Sequence, residues 1–217
     1  MSTSSAKSLP ESCWQSLAYR LWWMAWGWGT VGVIYSLTDY WQGAGHVVPE
    51  TWLDQAISYD QSAIVGYLSF FVLIPAAYLF AELPRVRMLA RQMQWGALFC
   101  GAVYLLYPTT MVYPPVELET WTGPWVAGLL HIDSSQNCVP SLHILLSLLA
   151  VHAVWQGKCW WVKIGYVGWL VWISYTVLQL KRHLLIDVMA AVVVAVVVIV
   201  LSAYWRANRA GVQGDAD

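Results

Sequence analysis

The sequence predicts an all-α integral membrane bundle of six transmembrane helices, a single domain over residues 1–217. Three observations carry that expectation. Hydrophobic residues make up 59% of the 217 and charged residues only 11%, against about 25% charged in an ordinary soluble domain. Sixteen Trp and twelve Tyr stand against four Phe, and amphipathic aromatics of this kind collect where hydrocarbon meets water. Six apolar stretches also approach the roughly 20 residues that a helix needs to cross a hydrocarbon core about 30 Å thick.

The first stretch, 17–37, carries Trp22, Trp23, Trp26 and Trp28. Its length, and the lack of a small-residue cleavage site after it, favour a retained span over a secretory signal. Gly27, Gly29 and Gly32 leave room for close helix contact, either inside one chain or in a homo-oligomer. The second and third stretches are 62–81 and 91–108. The fourth, 140–156, opens on Pro140, whose missing N–H is not required at a first helical position. The fifth is 160–180, and the sixth, 184–204, includes the nearly pure aliphatic run 192–200. No repeat or linker divides the chain.

Orientation follows from the cations, because Lys and Arg are retained in cytoplasmic loops. Lys7 and Arg20 stand at the first span, Arg85, Arg87 and Arg91 between the second and third, Lys158 and Lys163 between the fourth and fifth, and Arg206 and Arg209 after the sixth. The opposite side carries Asp39, Glu50, Asp54 and Asp60 in one loop and Glu117, Glu119 and Asp133 in the other, with no Lys or Arg in either. Both termini are therefore expected in the cytoplasm. Lys181 and Arg182 break the rule on the outer side. Two long side chains snorkelling into headgroups would explain them, but their neighbour His183 suggests a site that wants positive charge.

Several function classes are excluded early. A net charge of −1 lacks the basic field with which a nucleic-acid binder releases counterions. Cys13, Cys100, Cys138 and Cys159 form no CxxC pair and are read as free thiols. The chain has no HExxH motif and only five histidines, so neither a metal nor another cofactor is expected.

Two of those histidines fall at outer helix ends. His143 lies in Pro140-Ser141-Leu142-His143, and His183 lies 40 residues later, about two crossings of 20, so both can line one pocket. His183 and Asp187 are four apart and share a helix face. A carboxylate there can hold one ring nitrogen of His183 and leave the other free to attack. The N-terminal turn after Pro140 offers N–H groups to phosphate oxygens, Ser141 adds a hydroxyl, and His143 is placed to protonate a leaving oxygen. Taken singly, each has a bland explanation: HxxxD is common, and Pro-Ser often only starts a helix. His131 reads as a solvated loop residue, His46 as a surface residue and His152 as span-lining.

Together, Pro140-Ser141-Leu142-His143 and His183-Leu184-Leu185-Ile186-Asp187 resemble the second and third signatures of the type 2 phosphatidic acid phosphatase superfamily, within it most nearly the branch that includes inositol phosphorylceramide synthases. Leu53-Asp54-Gln55-Ala56-Ile57, the segment from Tyr107-Pro108 to Pro114-Pro115, and residues 133–137 extend the resemblance, which covers most of the chain from about residue 50. It implies six membrane helices, no metal, and a phosphohistidine at the outer face, with His183 as nucleophile, Asp187 orienting it, His143 as acid and then base, and Ser141 on the phosphate. The substrate would be a membrane lipid bearing a phosphate. Two phosphate clamps of the family are missing: Val116 follows Pro114-Pro115 where basic residues are usual, and Thr176-Val177 replaces a Ser-Arg. Lys181 or Arg182 is expected to substitute. A lipid-phosphate phosphatase is thus the first expectation, a headgroup transferase with the same histidines the second, and a non-catalytic lipid-binding protein on this scaffold the third.

Overall fold

The computed structural model describes residues 12–214, with side chains as far as residue 208. Lys7 and the Arg209 side chain lie outside the described part. The described residues are 72% helix and 2% strand. Among the described residues, three stretches are long and apolar enough to cross a membrane: Gln61–Phe80, Trp160–Gln179 and Leu185–Asn208.

Helix α1 (Cys13–Trp41) begins on a capping box, in which Ser12 and Gln15 satisfy each other's backbone N–H groups. A two-residue strand β1 (His46–Val47) and short α2 (Trp52–Ala56) follow. The second predicted span is not one regular helix. A 3-10 turn over Gln61–Ala63 leads into α3 (Ile64–Leu68), and α4 (Phe70–Phe80) continues it beyond Ser69. Pro75 stands inside α4, where it has no N–H to give to the preceding turn. Helix α5 (Leu83–Leu106) starts eight residues before the expected 91. Arg85, Arg87 and Arg91 therefore ride on its first turns rather than in a loop.

After β2 (Thr109–Thr110), which pairs in parallel with β1, the unexpected α6 (Gly123–Leu130) precedes α7 (Leu142–Val154). At 13 residues, α7 spans about 20 Å, shorter than the expected 140–156. Helix α8 (Trp160–Gln179) matches its expected span, and α9 (Leu185–Gly214) runs ten residues past the expected end at 204.

Helix α7 is the centre of the packing. It meets α4, α5, α8 and α9 and is apolar around its circumference, as a helix surrounded by others must be. Leu145, Leu149 and Ala150 are fully buried there, in one hydrophobic cluster with Leu73 and Ala77 of α4 and Met93 and Ala97 of α5. Two cations close helix ends at the end of the bundle away from His143. Arg20 Nη1 donates to the carbonyls of Tyr78 (2.8 Å) and Ala81 (2.7 Å) at the end of α4, and Arg85 Nη1 to that of His152 (3.0 Å) near the end of α7. The last carbonyls of a helix have no intrahelical partner and carry its negative dipole end, so a guanidinium suits them.

The glycines of α1 divide by face. A methyl group added at Gly27 would lie 2.7 Å from the Cα of Ala90 on α5, whereas Gly29 and Gly32 face open space. Gly27 therefore serves contact inside the chain. Gly27→Leu is expected to destabilise the fold by about 1–3 kcal/mol and Gly29→Leu to leave it unchanged, read as the melting temperatures of the two purified variants.

Candidate active site

At one end of the bundle the starts of α7 and α9 lie side by side. Ser141 is the N-cap of α7, two residues later than expected for the cap, with Pro140 before it rather than inside the helix. Ser141 is fully buried, its N–H donates to the carbonyl of Asp187 (3.1 Å), and its Oγ accepts from Ile144 N (3.5 Å). This one-turn coupling of α7 to α9 brings their histidines together. His143 Nδ1 lies 3.3 Å from His183 Nε2, and His183 Nδ1 lies 3.2 Å from Asp187 Oδ2. The three side chains form a line of two hydrogen bonds. Asp187 is fully buried and also accepts from Leu184 N (2.9 Å), so it caps α9 while fixing the His183 ring. With Asp187 accepting the Nδ1 proton, Nε2 of His183 carries the lone pair.

Aromatic walls hold the His143 ring, with Tyr67 at 4.6 Å and Phe70 at 4.8 Å between centroids. Tyr67 donates to Asp133 Oδ2 (2.7 Å) and Tyr35 to Asp133 Oδ1 (2.5 Å). Arg182 adds two more donors to the same carboxylate, Nη2 at 2.8 Å and Nε at 3.1 Å, and lies 3.7 Å over the ring of Tyr113. Burial alone would push the Asp133 carboxyl up. Neighbouring His143 and Arg182 and the two tyrosine hydroxyls outweigh it and hold the group at about 2. Burial would likewise lower Arg182, but Asp133 holds it above its ordinary value.

His143, His183, Arg182 and Asp133 line a common cavity of about 10 Å³, with Tyr113 and Asn137 at its wall. That is room for about one water. Arg182 Nη1 and Asn137 Oδ1 are buried without a hydrogen-bond partner, so the cavity keeps an unused guanidinium donor beside the imidazoles. Among the described residues, no group of three or more His, Cys, Asp or Glu is arranged to hold a metal ion.

Of the six residues expected at the site, His143, His183, Asp187 and Arg182 gather there. Ser141 lines no part of the cavity, because its hydroxyl is taken up in capping α7. Lys181 also lies outside it. Its φ of 54° ends α8 in a left-handed turn, and its Nζ donates to the carbonyl of Asp54 on α2. The Asp54 carboxylate in turn accepts from Leu185 N (2.8 Å), the first residue of α9. These contacts answer what wants the misplaced cations: a buried carboxylate for Arg182, and a backbone carbonyl for Lys181. Asp133, read from the sequence as an ordinary outer-loop acid, is the residue that was missed. Its signal was Arg182 itself, since an unpaired cation beside a helix start needs a carboxylate from the same side. His131 and His46 are exposed and His152 half-buried, near α7's other end.

Comparison with known proteins finds no matching family model and no matching curated protein. The site is therefore read on its own geometry.

Two outcomes follow from the Asp133 pair. Its folded pKa lies below the ordinary 3.8, so its contribution of about 2 kcal/mol is present above pH 4 and lost as pH falls through 2. Acid titration of the folded state should show that loss, and Asp133→Asn should flatten it. The same variant leaves the Arg182 charge buried and unpaired, at an expected cost of about 3–5 kcal/mol at neutral pH, measurable by chemical denaturation.

Proposed function

We propose that this chain is a six-span membrane enzyme that transfers the phosphoryl group of a lipid phosphate through His183, at the extracytoplasmic face. The line His143–His183–Asp187, with contacts of 3.3 and 3.2 Å, carries the reading. In the first step the lone pair of His183 Nε2 bonds to phosphorus. The bond from phosphorus to the lipid oxygen breaks, and that oxygen leaves with the electron pair and takes a proton from protonated His143. In the second step water attacks phosphorus and gives its proton to His143. The P–N bond then breaks and its pair returns to Nε2. Asp187 keeps the imidazole oriented throughout, and Arg182 Nη1 offers a donor to the phosphate oxygens.

The membrane part of the reading rests on three helices apolar and long enough to span, together with α1 and α5, which are long but more polar, and short α7. Phosphate exceeds a cavity of about 10 Å³, so the two imidazoles must part around phosphorus before reaction.

That same closure favours a second reading, a lipid-binding protein on this scaffold without turnover, since Asp133 already occupies two donors of Arg182. One assay separates them. Purified chain is incubated with a panel of lipid phosphates and, in parallel, with an added lipid alcohol. Free phosphate means a phosphatase, a new phosphodiester means a headgroup transferase, and no product with any lipid sinks the enzymatic reading. His183→Ala should abolish product, and His143→Ala should lower the rate by roughly 10²–10⁴-fold.

A further inference from the structure

A second and much larger cavity lies at the opposite end of the molecule, and the chemistry proposed above makes no use of it. From Leu185 to Arg206, α9 runs roughly 30 Å at 1.5 Å per residue, so this cavity and the two histidines sit near opposite surfaces of a membrane. It measures about 710 Å³ and is lined by Arg87 and Arg91 of α5, Arg206 of α9, and the indoles of Trp26, Trp95 and Trp205. Arg87, Arg91, Gln94, Trp95 and Leu98 recur at spacings of three and four, so they occupy one face of α5. The face of α9 opposite carries Leu201, Ser202, Trp205 and Arg206 in the same pattern. Among the described residues, no Asp or Glu lines the cavity.

The guanidinium groups of Arg87 and Arg206 are propped rather than neutralised. Arg206 Nε donates to the carbonyl of Ser202 (3.1 Å), and its Nη1 lies 3.0 Å from Met88 Sδ. The Arg87 guanidinium sits 5.4 Å over Trp23. Neither arginine is ion-paired among the described residues. Trp95 and Trp205 meet edge to face at 5.5 Å, and they belong at once to this cavity and to an adjoining groove of about 280 Å³. That groove is apolar: Leu98, Phe99, Val197 and Leu201 line it, toward the middle of α5 and α9.

We propose that this composite cavity binds an anionic phospholipid of the leaflet opposite the histidines, its phosphate on Arg87 and Arg206 and one acyl chain in the adjoining groove. Charge decides the headgroup: Arg87 and Arg206, with no carboxylate among the described residues that line the cavity, match a phosphodiester, which guanidinium binds through paired N–H donors. The groove decides for a lipid over a free phosphate, because an apolar channel continuous with the headgroup cradle has no use for a soluble anion. Two indoles at the junction match the level where headgroup meets hydrocarbon. This lipid is distinct from the substrate at His183, and the inference stands whether or not that residue turns anything over.

Native mass spectrometry of the purified full-length chain in detergent tests it, with phosphatidylglycerol, phosphatidylcholine and glycerol 1-phosphate as probes. The chain should retain phosphatidylglycerol about tenfold or more over phosphatidylcholine, and glycerol 1-phosphate should not displace it. Arg87→Gln with Arg206→Gln should remove most of that preference, because each basic residue near a phosphate contributes several-fold in affinity. Leu201→Trp, which fills the apolar groove, should weaken retention of phosphatidylglycerol. Equal retention of the two lipids by the parent chain, or full preference in the double variant, overturns the proposal. Displacement by glycerol 1-phosphate reduces the site to one for a small anion and overturns it as well. If the double variant does not fold, unchanged retention in Leu201→Trp is decisive against it.

Discussion

One carboxylate, that of Asp133, ties the reactive end of the molecule together. It accepts from Tyr35 of α1, from Tyr67 of α3 and twice from Arg182 in the turn between α8 and α9. Four donors on two oxygens nearly exhaust its lone pairs, and a buried ion pair returns its desolvation cost only when hydrogen bonds are this complete. A turn that would otherwise expose a cation at a helix start is thereby pinned against two other helices. His183 is the next residue along that turn, so its position inherits the constraint.

From that anchor the rest of the site follows by short steps. The Ser141 N–H on the Asp187 carbonyl sets α7 against α9, and Asp54 grips the first N–H of α9. With both helix starts held, His143 and His183 face each other across a cavity with room for about one water. Arg182 is paired with Asp133 and the volume is small. Such packing preorganises nitrogens and carboxylate well, but it leaves the phosphate's place to be made by movement of side chains.

The two ends of the bundle treat their cations differently. At the histidine end Arg182 is paired with a carboxylate, and Lys181 is spent on a carbonyl. At the other end Arg20 and Arg85 complete helix C-termini, while Arg87 and Arg206 keep their charge available beside tryptophan. The two ends of the bundle thus divide their cations between structure and surface chemistry.

Composition and periodicity determined a great deal unaided: a helical chain, apolar enough to span, with helices close to 160–180 and 184–204, and the two histidine motifs that meet. Local patterns can do this because a helix face and an HxxxD step are settled within a few residues. Tertiary structure alone decided that Ser141 caps rather than contacts the cavity, that Lys181 turns toward α2, and that Asp133 is the partner of Arg182, 49 residues away. It also moved Arg85, Arg87 and Arg91 from a loop onto α5 and made Arg87 and Arg91 part of the wall of a cavity completed by Arg206. The physical reason is common to all of these. Which polar group satisfies a buried charge depends on where distant segments cross, and no short-range periodicity encodes that.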